Sequence, residues 1–198
     1  EFSPKGHISN LLVKWTGSID QELHYRVKGR FAELSLQRVG KLPGFSGLSG
    51  EVDGNENHGT LTLNSRNLKL EAPQIMPEPL AFDSISARSI WDANRDGLEI
   101  RLRNVELSNT DLAGTAYGSF QTLSDSPGKL DLTVHLNRAS VPRAAKYIPL
   151  IAIGDNARAW LNQALLAGQS QDFNLRIKGN LNDFPYADNR MGIFKIQA

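Results

Sequence analysis

Cysteine is absent from the 198 residues. That excludes disulfide staples, thiolate zinc sites, iron–sulfur clusters and cysteine nucleophiles together. It leaves the redox compartment open, because a chain without cysteine suits either setting. An excess of one charge sign is also missing. The 22 Lys and Arg stand against 21 Asp and Glu, for a net charge of +1. Such a balance argues against a protein built mainly to neutralise nucleic-acid phosphates. No run approaches the roughly 18 consecutive apolar residues of a spanning helix. The start, Glu1 to Gly6, has no apolar signal-peptide core. The chain begins without Met and stops just after a strand-like run, so it reads as a fragment of something longer.

Catalytic constellations are equally scarce. Gly44-Phe45-Ser46-Gly47 and Gly47-Leu48-Ser49-Gly50 miss the G-x-S-x-G spacing, and no phosphate-cradling glycine loop precedes a helix. His7, His24, His58 and His135 have no His at ligand spacing. The carboxylate pairs Asp92/Asp96 and Asp183/Asp188 lie in turn-like stretches, where Asp serves the local backbone. Asp53, Asn55 and Asn57 are reminiscent of a calcium loop, but no glutamate stands at the twelfth position and the flanks read as strands. The sequence assigns no catalytic residue, metal or cofactor, and the chain is read as a non-enzyme.

What is present is a period of two. Leu61-Thr62-Leu63, Leu98 to Leu102, Leu130 to Leu136 and Phe173 to Lys178 alternate apolar with polar residues. In a strand this puts the aliphatic set on one face and the charged set on the other. His24, Arg26, Lys28 and Arg30 likewise share a face opposite Tyr25, Val27 and Phe31, and read as a solvated sheet surface. Turn residues separate the runs at 53–59, 92–97 and 126–128. Gly29, Gly59, Gly97 and Gly128 recur at spacings of 30, 38 and 31, each ahead of an alternating run. Two of these runs reach an Asn, Asn67 or Asn104, and resume as Leu68-Lys69-Leu70 or Val105-Glu106-Leu107, with Asn137 in a looser copy. Each unit therefore reads as a strand, a kink at an Asn, and a continuation. Such units suit an array that grows by adding strands, or an ordinary antiparallel meander.

One segment breaks the pattern. Ala157, Trp160, Leu161, Ala164 and Leu165 fall on one helical face, predicting an amphipathic helix over 155–168 with Asp155 as N-cap and Gly168 beyond its end. A short helical turn is expected over 142–147, opened by Pro142 and limited by Pro149. Strands are expected again at Phe173–Gly179 and Gly192–Gln197. The chain holds 26 leucines, many at inward strand positions. That excess fits either a closed sandwich core or a face that contacts disordered acyl chains, and alternation alone does not separate the two.

The last third carries an ordered series: Tyr147-Ile148-Pro149, then Trp160-Leu161 and Ala164-Leu165 before Gly168, then Leu175 to Gly179, then Asp183-Phe184-Pro185-Tyr186, then Gly192 and Phe194. This resembles the YhdP-like branch of the AsmA-like proteins, with Ile148 where Leu is usual and Tyr186 where Phe is usual. The likeness is specific over 140–198 and looser over 45–140, where Gly59-Thr60-Leu61-Thr62-Leu63, Leu68 to Pro73 and the Trp91 strand carry it. The resemblance implies a single β-rich segment, 1–198, of a longer envelope protein. Repeated strand units would fill 1–140, and a helix plus closing strands 141–198. It implies a mainly β fold, a curved, U-shaped antiparallel sheet with an apolar groove. It further implies a periplasmic part of an inner-membrane-anchored protein that conducts phospholipid between inner and outer membranes. The partners would be acyl chains and adjacent segments of the same polypeptide, with no nucleic acid and no anchor of its own.

On that reading the groove candidates are Leu61, Leu63, Leu98, Ile100, Leu102, Leu132, Val134, Leu136, Phe173, Leu175 and Ile177. For each, packing against the chain itself is the competing role. Trp160, Leu161 and Leu165 are expected to make a core contact, or else to dock the helix over the trough. The competing functions are a structural or interaction β-domain of the envelope with a closed core, and a glycan-acting enzyme on a β-solenoid.

Overall fold

The computed structural model describes residues 3–17, 24–40, 42–94, 97–150, 154–188 and 190–198. Eleven strands form one antiparallel sheet. They are β1 (Lys5–Thr16), β2 (His24–Leu36), β3 (Gly44–Asn55), β4 (His58–Glu71), β5 (Leu80–Asn94), β6 (Gly97–Ser108), β7 (Leu112–Leu123), β8 (Ser126–Ser140), β9 (Gln169–Ser170), β10 (Phe173–Asn180) and β11 (Gly192–Gln197). Spatial order follows chain order from β1 to β8 and continues through β10 to β11, while the two-residue β9 pairs with the end of β8. The sheet is open and curved, with β1 and β11 at its edges. A 3-10 turn (Val141–Tyr147) and one α-helix, α1 (Asp155–Ala164), stand between β8 and β9.

The curvature has a local cause. Asn10, Glu33, Asn67 and Asn104 take positive φ of 52°, 54°, 52° and 48°, and Gly47 takes 79°. These left-handed residues interrupt β1, β2, β3, β4 and β6 midway, next to ladder shifts at Ser9/Leu12, Phe31/Leu34, Ser46/Gly50 and Leu102/Val105. Asn tolerates this conformation better than other side chains. An inserted residue bends the strand, so a line of them curls the sheet. In β8 the extra residue is Asn137, between the pairs Gly114↔Leu136 and Ala113↔Arg138. The kinks expected at Asn67 and Asn104 are present, and at Asn137 the ladder slips without a positive φ.

Backbone groups freed by the bulges find hydroxyl partners. Ser65, 1% exposed, accepts from the Ser49 N–H at 2.9 Å and donates to the Ser49 carbonyl at 3.1 Å. The Ser49 hydroxyl in turn accepts from the Glu33 N–H at 2.9 Å. A buried hydroxyl is tolerated here because its hydrogen bonds are made.

Several expected boundaries move. The hairpin expected at 126–128 turns earlier, since β7 ends at Leu123 and β8 starts at Ser126. The turn at 92–97 closes between Asn94 and Gly97, with Arg95 and Asp96 outside the described residues. Helix α1 stops at Ala164, four residues short of Gly168, and Gly154 rather than Asp155 occupies its N-cap. Gly168 instead takes φ +113° and its carbonyl accepts from the Val141 N–H at 3.1 Å. The expected docking of the helix side chains also needs correction: α1 buries no residue and Trp160 is 65% exposed. The helix is tethered elsewhere. Arg158 donates to the carbonyls of Ile148 at 3.0 Å and Pro149 at 3.1 Å, and also to Ala145, all in or just after the 3-10 turn.

Candidate functional site

The paired register sorts one face of the sheet into rows. The first runs Gly54–Gly59–Trp91–Ile100–Phe120–Leu130–Gly179–Gly192, each residue directly opposite the next. The second runs Val52–Leu61–Ser89–Leu102–Gly118–Leu132–Ile177–Phe194. A third carries Leu63 opposite Ala87, and Val105–Ala116–Val134–Leu175–Ile196. A fourth carries Ser65–Ile85–Leu107–Gly114–Leu136–Phe173. With Leu98 two residues before Ile100, all eleven candidate side chains fall on this face.

Ten of the eleven are partly exposed. The eleventh, Leu136, is 7% exposed and belongs to a buried cluster with Leu80, Phe82 and Leu112. That cluster lies at the end of the sheet bearing the 72–79 loop and the 3-10 turn, and Met76 and Tyr147 pack on it. Buried apolar residues are few among those described: Leu68, Leu80, Phe82, Val105, Leu112, Ala116, Leu136 and Ala145. A sandwich would bury the inner faces of two sheets, whereas here one sheet carries the face and a short cover closes only one end of it. Fully burying a Leu, Ile or Val side chain contributes about 1.5–3 kcal/mol. At the ten partly exposed positions part of that contribution is unrealised.

The cover is held by a polar cluster of which the sequence motifs marked only Tyr147. Asn109, 6% exposed, donates to the Ala81 carbonyl at 2.6 Å and to the Tyr147 hydroxyl at 2.9 Å. Tyr147 donates to Asp111 at 2.8 Å, and Lys146 reaches the same carboxylate at 3.4 Å. Burial pushes the Tyr147 phenol up to about 12, with Asp111 adding to the rise and Asn109 opposing it. The Leu150 N–H donates to the Ile75 carbonyl at 2.8 Å, joining the chain just after the 3-10 turn to the 72–79 loop. Partners 38 and 28 residues apart leave no local signal.

Aromatic side chains line the opposite end. The Trp91 ring covers Gly54 and Gly59, Phe120 lies on Gly128, and Tyr186 covers Gly179 and Gly192, leaving no room for a Cβ at these glycines. Trp91 Nε1 donates to the Asn55 carbonyl at 3.3 Å. Phe184 meets Tyr186 and Phe194 edge-to-face at 5.7 and 5.1 Å. The signal for Tyr186 was the Asp183-Phe184-Pro185-Tyr186 motif. For the glycines it was their position in alternating runs.

The other face is ionic. Asp53 accepts from Arg26 and Lys28, both at 2.8 Å, and Arg30 reaches Glu51 at 3.3 Å. Arg176 and Lys178 meet on Asp131. Hydrogen bonds from Lys28 and Arg176 hold the Asp53 and Asp131 carboxyls below their ordinary range. Among the described residues no cluster of His, Asp and Glu could hold a metal, and no helix is long and apolar enough to cross a membrane.

No solved structure matches the chain. A curated relative, the intermembrane phospholipid transporter YhdP of Escherichia coli (strain K12), is 26% identical over 200 residues. The alignment covers 98% of this chain and 15% of that relative's length. The model of the YhdP protein family matches residues 1–198 from end to end. The chain is a member of the YhdP family.

Proposed function

We propose that this chain is one segment of a longer lipid conduit in the bacterial envelope, carrying phospholipid along its apolar sheet face between two membranes. The observation that carries the reading is the partly exposed apolar face, rows deep and one sheet thick. The relative's role as an intermembrane phospholipid transporter supports it. The reading places the segment in the periplasm of a protein anchored elsewhere, with repeated strand units over 1–140 and a helix plus closing strands over 141–198. Its function is non-enzymatic.

The physics is that of transfer from water. A diacyl lipid exposes roughly thirty CH₂ groups, each costing about 0.8 kcal/mol, so free passage through water costs on the order of 20 kcal/mol. An apolar lane removes most of that cost while the headgroup stays hydrated. Dispersion and hydrophobic contact lack direction, so tails slide along the rows without a deep trap. Leu61, Leu63, Leu98, Ile100, Leu102, Leu132, Val134, Phe173, Leu175 and Ile177 line the lane, and Leu136 forms its floor at the covered end. The charged outer face keeps the conduit wetted on its other side.

The test is lipid retention. Organic extraction and native mass spectrometry of the purified chain are expected to find co-purified phospholipid. Ile100→Asp together with Leu102→Asp should lower the lipid content at least fivefold while the circular dichroism spectrum stays β. A lipid-free wild-type chain would favour a scaffold role instead.

A further inference from the structure

The two ends of the apolar face differ, and the difference bears on how a lipid lies in it. At one end the 3-10 turn, Met76 and Tyr147 seal the strands over Leu80, Phe82, Leu112 and Leu136. The Asn109–Tyr147–Asp111 hydrogen bonds hold that cover in place. At the other end the first row ends in rings. Trp91, Phe120 and Tyr186 lie on glycines of the strands beside them, and hydrophilic turns follow at Glu56-Asn57 and Ser124-Asp125.

The length between the two ends is also informative. Six residues separate Leu130 in the aromatic row from Leu136 in the buried cluster. At about 3.3 Å per residue this is about 20 Å of strand. One leaflet of a bilayer holds about 15 Å of hydrocarbon, half of a core of about 30 Å. The uncovered face therefore accommodates one acyl layer lengthwise along the strands. Tyr and Trp concentrate where apolar surface meets hydrated headgroups; here the Trp91 N–H is held by the Asn55 carbonyl and the Tyr186 hydroxyl is buried, so the row marks that level with its ring surfaces.

Resting on the reading of this face as lipid-lined, we infer that a bound phospholipid is oriented along the strands. Its glycerol esters and headgroup sit at the Trp91–Phe120–Tyr186 row and its methyl ends point to the bulge line and the covered cluster. Lipids would then advance side by side across the strands, headgroups all along one rim. The aromatic row has two jobs on this view. It fills the space above paired glycines, and it forms the level at which the chains end and water begins.

Photo-crosslinking tests the orientation in the full chain. Two phosphatidylcholine probes are loaded separately, one with a diazirine near the ester and one with it near the acyl methyl end, and adducts are mapped by peptide mass spectrometry. The ester-proximal probe is expected to label Trp91, Ile100 and Phe120 at least fivefold more than Leu63, Val134 and Leu175, and the methyl-end probe to reverse that ratio. Equal or inverted ratios on these residues would overturn the orientation while leaving the lane in place. Adducts confined to outer-face residues such as Thr62 and Arg88, or no adducts at all, would overturn the lane and the orientation together.

Discussion

Glu56 ties β2 to the hairpin between β3 and β4. It accepts from His24 at 2.7 Å and from the Tyr25 N–H at 2.9 Å. The His24 hydrogen bond, followed by the Tyr25 N–H, pulls its carboxyl from the ordinary 4.5 to about 2. A depressed carboxylate stabilises the fold fully above its unfolded value, and that contribution fades as pH falls through the folded one. Thermal unfolding measured across pH should therefore lose stability between 4.5 and 2. Glu56→Gln is expected to flatten that acid limb and to leave the profile near neutrality almost unchanged in slope. Tyr147 has the opposite sense. Its neutral form is favoured by the fold, so its contribution is intact below pH 10 and lost as pH rises toward 12.

At the scale of elements the bulge line governs the shape. Asn104 sits at φ 48°, a conformation costing an ordinary L residue about 1–2 kcal/mol. Asn104→Ala should lower stability by about 1 kcal/mol in urea denaturation, whereas Asn104→Gly should cost little or nothing. Repeated Asn positions made Asn67 and Asn104 legible in the sequence, because few other residues suit that backbone. Glu33 adopts the same conformation but gave no signal, since glutamate has no such preference. Alternation located the strands well: Phe173–Gly179 was expected against Phe173–Asn180 observed, and Gly192–Gln197 matched. It did not reveal the buried cluster. The apolar phase resets on crossing the bulges, so Leu80, Phe82 and Leu112 stand out only when the register is known. The helical stripe was legible too, but amphipathicity did not say what it faces, and Trp160 points to solvent.

At the scale of the whole molecule, β1 and β11 form the two edges of the sheet, each with one neighbouring strand among the described residues. Ile8, Leu11, Val13 and Trp15 on β1 and Ile193, Phe194 and Ile196 on β11 are all between 38% and 68% exposed. Open, apolar edges invite another strand, and on the proposed reading adjacent segments of the same polypeptide fill them. Taken alone, the chain should self-associate with rising concentration in sedimentation velocity. Val13→Lys with Ile196→Pro should return it to a monomer, because charge and a missing N–H both block edge pairing.

Because neighbours in space are neighbours in sequence through β8, the assembly behaves as a ruler graduated in hairpins. Each hairpin widens the sheet by about 10 Å, twice the spacing between strands. Excising β5 and β6 as a unit would bring β4 beside β7 with their antiparallel sense intact. A track of this design can be shortened or extended by whole hairpins during evolution, with its cross-section unchanged and only its reach altered.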